Sequence, residues 1–89
     1  MLSENLSLGQ LVKASCGRDE GKYFFIIKLV DESFVLISDG NSRKLDKPKL
    51  KKNKHLIVEK YVNEEIKMLL QNGNKITDSY IRAELNKLK

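Results

Sequence analysis

The chain is short of the residues that build catalytic and metal centres. Its 89 residues include no tryptophan, one histidine (His55), one cysteine (Cys16) and one proline (Pro48). One thiol cannot close an internal disulfide, and with one imidazole it completes neither a zinc set nor a Cys-His nucleophile. A lone thiol fits a reducing compartment, so a cytoplasmic location is expected. The longest apolar run, Tyr23 to Ile27, falls far short of the roughly 20 residues of a membrane span. The opening MLSENLSLGQ lacks the basic-then-apolar order of a signal peptide, and no membrane association is expected. Asp19 and Glu20 are adjacent carboxylates with no neighbouring group to split them into acid and base. The expectation is a protein that is not an enzyme and carries no cofactor and no metal.

What is present is charge. Lysine and arginine total 17 against 12 acids, a formal +5 with a pI near 9.4, which favours a polyanionic partner. Hydrophobic residues make up 40% of the chain, enough for one modest core at this length.

Val12, Ala14 and Cys16 alternate with polar residues, the period of a half-buried strand over residues 10–16. Cys16 and His55 read as a small core residue and a rim residue. Tyr23 to Val30, aromatic and β-branched, reads as a central strand. Asp31-Glu32 then reverses the chain into a third strand, residues 33–38. Asp39-Gly40 is a strong hairpin signal and predicts a return strand over residues 42–45, with a last strand at 55–59. Five short strands with tight turns predict a mainly β fold, a small barrel that closes its own sheet edges, over residues 1–59.

Residues 60–89 change character. Asn63 caps a helix opened by Glu64 and Glu65, with Val62, Ile66, Leu69 and Leu70 on one face and Asn72-Gly73 as its stop. Thr77 caps a second short helix whose stripe is Ile81, Leu85 and Leu88, and Ile76 is spaced to staple Ile81. The prediction is therefore two C-terminal helices packed on or beside the barrel.

The strongest local signal is RKLDKPKLKKNK, residues 43–54. It holds Arg43, Lys44, Lys47, Lys49, Lys51, Lys52 and Lys54 against one acid, Asp46, and Pro48 with the missing alternation predicts an extended loop. Lysines meet phosphate as point charges, so this arm suits docking on a nucleic-acid backbone rather than base readout. The turn GRDEG presents Arg18 and, beside it, Lys22 to the same kind of partner. Tyr23, next to the turn, is the aromatic residue best placed to stack on a base.

The order GQLVKASCGRDEGK, then DESFVLISDG, then SRKLDKPKLKKNKHL resembles the KOW motif and its setting in the ribosomal L14e-like family, small bacterial members included. The likeness spans about residues 8–58, and ITDSYIRAEL in the tail looks like those small members. It implies an SH3-like five-stranded barrel that binds RNA. The turn residues carried over are Gly17, Arg18, Asp19, Gly21 and Lys22, and the basic stretch is Arg43 and Lys44 with Lys52 and Lys54. The segment around Asp46-Lys47-Pro48 departs from the ribosomal pattern by being richer in lysine. The function expected is docking on ribosomal RNA or the ribosome, with binding lost and stability spared when Lys49, Lys51 and Lys52 become glutamate. The rival expectation is a protein-interaction module, binding polymerase or ribosomal proteins through Ile81, Leu85 and Leu88.

Overall fold

The computed structural model describes residues 6–88. Four strands form where the alternation and β-branched runs lie, β1 (Gln10–Ala14), β2 (Tyr23–Leu29), β3 (Phe34–Ser38) and β5 (Leu56–Val62), and β4 (Lys49–Lys52) forms inside the basic segment. A single 3-10 turn, Asn53–His55, links β4 to β5, and the helices α1 (Glu64–Gln71) and α2 (Asp78–Asn86) follow. Every pairing is antiparallel, in the order β4-β3-β2-β1-β5. The fold is thus mainly β with two C-terminal helices. β4 and β5 are edges, so the sheet is not closed.

Register decides which face each side chain enters. Val12 lies opposite Phe24, and Leu11 opposite Phe25, so neighbouring residues serve opposite faces. One face collects Val12, Ala14, Phe24, Ile26, Val35, Ile37 and Leu56 into a cluster drawn from four strands, with Leu6 packed against it. No helix residue belongs to that cluster. Its side chains are nevertheless almost fully buried. The other face holds Leu11 and Phe25, covered by Ile66 of α1 and Ile81 and Leu85 of α2.

The helices begin where their caps predict. Asn63 accepts from the Ile66 amide at 2.9 Å, and Thr77 accepts from the Tyr80 amide at 3.2 Å. Asn63 also donates to Glu84 at 2.8 Å, tying the start of α1 to α2. Ile76 packs into the same cluster as Ile81, as a staple requires. Between the helices the Tyr80 hydroxyl donates to Glu65. Burial, and then that bond, push its pKa well above the usual tyrosine value. Bonds from Lys87 and Asn63 hold the Glu84 carboxyl below its ordinary value. A carboxyl lowered in the folded state adds stability above its unfolded pKa of about 4.3, and that stability is lost as pH falls through the folded value. Glu84→Gln should accordingly lower the melting temperature at pH 7, and the gap to wild type should narrow by pH 3, as thermal melts at the two pH values would read.

Three chain segments differ from expectation. Residues 42–45 are not a strand. The Asp39 side chain accepts from the amides of Asn41 and Arg43 and from the Ser42 hydroxyl, which winds the chain into a local turn. The Leu45 amide then donates to Asp78 of α2 at 2.8 Å, and Leu45 packs into the helical cluster. The fourth strand comes later, inside the basic segment that reads as a loop. It is an edge strand, where lysines and a preceding proline are tolerated. β5 also runs on to Val62, past the expected boundary at residue 59.

Candidate nucleic-acid interface

The turn between β1 and β2 is built by glycine. Gly17 and Gly21 have φ of +84° and +87°, a region that disfavours any side chain with a Cβ. The amide of Gly21 donates to Ala14, and that of Ala14 donates to Lys22, so the turn closes the strand pair while Arg18, Glu20 and Lys22 stay exposed. Asp19 alone turns inward and is buried.

Asp19 has a partner 24 residues away. Nε and Nη2 of Arg43 both donate to its Oδ2, at 3.0 and 2.9 Å, and Lys22 Nζ lies 3.9 Å from its Oδ1. Lys51 Nζ also reaches the turn, donating to the Cys16 carbonyl at 3.3 Å beneath Gly17. The Ser15 amide donates to the carbonyl of His55 at 3.0 Å. The turn and the basic segment, separate in sequence, therefore meet at the end of the sheet where β1 turns into β2.

These contacts divide the candidate residues. Arg18, Lys22, Lys44, Lys47, Lys52 and Lys54 are exposed, and Lys49 is half-buried. Lys51 is only 8% exposed, because the register of β4 turns it toward the interior opposite Val35 and leaves Leu50 outside. It belongs to the fold rather than to an open basic surface. Lys51→Glu would place a carboxylate against the Cys16 carbonyl, so the triple exchange expected to spare stability would not spare it. Arg43 is likewise engaged, in holding Asp19. Removing it leaves that buried carboxylate with only the distant Lys22, so Arg43→Ala should cost about 1–3 kcal/mol. In a thermal melt that is a fall of at least several degrees. Arg43→Lys should recover only part of it, since an ammonium cannot supply both contacts.

Tyr23 is 41% exposed, and Lys13 Nζ stands over its ring at 5.5 Å. Lys52 lies over Phe34 at 5.9 Å. His55 is half-buried in the 3-10 turn, and Cys16 is half-buried just past the end of β1. Among the described residues there is no group of three or more histidine, cysteine or acidic side chains placed to hold a metal ion. No described helix is long and apolar enough to cross a membrane. Of the predicted stripe, Ile81 and Leu85 are buried against the sheet, and Leu88, past the end of α2, remains exposed.

Local sequence does not reveal the Asp19–Arg43 pair or the inward turn of Lys51. The signal for the first was an acid and an arginine flanking two separate turns; for the second, the exposed Leu50 beside it is the only hint. Compared with known proteins, the chain matches no protein-family model and no curated protein.

Proposed function

We propose that this protein binds structured RNA and acts in translation, docking on ribosomal RNA or the ribosome through the β1–β2 turn and the basic segment. The observation that supports this reading is the meeting of the β1–β2 turn with the segment 39–55. The two segments carry six exposed cations, Arg18, Lys22, Lys44, Lys47, Lys52 and Lys54, and the buried acid of the turn is already paired. Two acids of the same segments, Glu20 and Asp46, are exposed, so positive charge predominates. Such a surface binds phosphate by charge and position, without base specificity. The likeness to the KOW family points to the same partner. We also read the five-stranded antiparallel sheet as an SH3-like barrel left unjoined between β4 and β5. A core cluster drawn from four strands, with no residue of either helix among its members, supports this.

The rival, a module that binds proteins through the C-terminal helices, is less favoured, since Ile81 and Leu85 are buried. Crosslinking the protein to cellular RNA and sequencing the attached fragments tests the proposal. Enrichment of ribosomal RNA fragments is the expected result. Fragments spread over messenger RNA with no ribosomal enrichment would remove translation from the account.

A further inference from the structure

A groove of about 840 Å³ opens beside the β1–β2 turn, between the start of β2 and the C-terminal half of α2. Its apolar lining is Leu11, Leu85 and Leu88, with the ring of Tyr23 at one side. Asn41 and Asn86 add amides that both donate and accept. The volume lies within the roughly 300–1,000 Å³ of small-ligand sites, room for a nucleotide or two but not for a duplex.

We propose that this groove holds an unpaired base of the bound RNA, stacked on Tyr23. The inference rests on the RNA-docking reading above and names a subsite within it. Lys13 stands over one face of the Tyr23 ring and does not line the groove, whereas Tyr23 does. A base stacked on the other face of that ring would have the ring between itself and a positive charge. Charge also sets the direction of entry. Lys22 lines the groove next to the turn, and Glu59 lines it as well. Phosphate is drawn to the Lys22 side and repelled by Glu59, whose carboxylate suits the amino group of a base instead. Asp39, the other acid of the lining, has its oxygens filled by its own loop, which accept from two backbone amides and the Ser42 hydroxyl. Arg82 is likewise engaged, donating to the Gly40 carbonyl at 2.6 Å.

Binding of a ten-nucleotide single-stranded RNA and of a duplex of the same sequence, followed by fluorescence anisotropy for wild type, Tyr23→Ala and Tyr23→Phe, tests this. Stacking on an aromatic ring predicts that Tyr23→Ala weakens single-strand binding roughly 5- to 150-fold, while Tyr23→Phe stays near wild type. Duplex binding and the slope of affinity against salt should be unchanged in both variants. Equal single-strand affinity for wild type and Tyr23→Ala would overturn the subsite while leaving the docking surface standing, as would equal losses on strand and duplex. Wild type that binds neither RNA would instead overturn the docking reading and the subsite with it. Thermal melts of both variants confirm that any loss is not unfolding, since Tyr23 lies at the surface.

Discussion

Replacing Gly40 with alanine is expected to remove about 3 kcal/mol of stability or more and to lower the melting temperature by at least about 12 °C. Gly40 follows β3 and has a φ of +71°, where an L side chain is strained by roughly 1–2 kcal/mol. Space is the second obstacle. A Cβ there would overlap the Asp78 carbonyl oxygen and stand 3.1 Å from Cβ of Ile81 and 3.2 Å from Cγ of Arg82. The first of these is backbone at the start of α2, so relief requires the helix to move. The same glycine donates its amide to Arg43 and Ser38 and accepts from Arg82, which leaves its own loop little freedom to shift. Lifting α2 uncovers Leu11 and Phe25 on the outer face of the sheet. Against a typical domain stability of about 5–15 kcal/mol, the loss is large. Far-UV circular dichroism would follow the melt, and a fall under 3 °C would show that α2 does not depend on this close approach.

Reversing Lys44, Lys47, Lys52 and Lys54 together to glutamate is expected to weaken RNA binding at least about a thousandfold. Four of the six exposed cations of the turn and the basic segment change sign, and the formal net charge goes from +5 to −3, four changes of two units each. With about 1 kcal/mol for each exposed lysine–phosphate pair removed, the total is near 4 kcal/mol before any new repulsion from phosphate. All four side chains are exposed, so the melting temperature should move by only a few degrees. Lys51→Glu should behave in the opposite way, melting low because its side chain is buried. Electrophoretic mobility shift with a structured ribosomal RNA fragment reads the first effect. A reversed protein that folds and still binds within tenfold of wild type would mean that the lysines do not meet the RNA.

Both helix starts were legible because capping is local chemistry: a side-chain acceptor at Asn63 or Thr77 needs only the amide three residues on. The stripe of Ile81 and Leu85 was legible as a helix face, but periodicity does not say whether its own sheet or a partner covers it. β4 escaped because its pattern is inverted, Leu50 facing out and Lys51 in, so a search for buried apolar residues finds none. Asp39-Gly40 did form a turn, yet the chain stays in a loop through Pro48, since Leu45 is drawn away to α2. At the interface, the sequence marked the charged residues but not their state of engagement. Arg43 and Asp19 lie 24 residues apart, and only the folded sheet makes them neighbours. The Tyr23 groove depends on α2 returning to the sheet, which no local pattern around Tyr23 reports.

The central claim is that affinity comes from phosphate contacts made by the exposed cations of the turn and the basic segment. The most direct test is a salt titration of binding to a structured ribosomal RNA fragment. If all six exposed cations meet phosphates, log K should fall with log salt at a slope of roughly −4 to −5. A slope near zero, with binding intact at high salt, would contradict it.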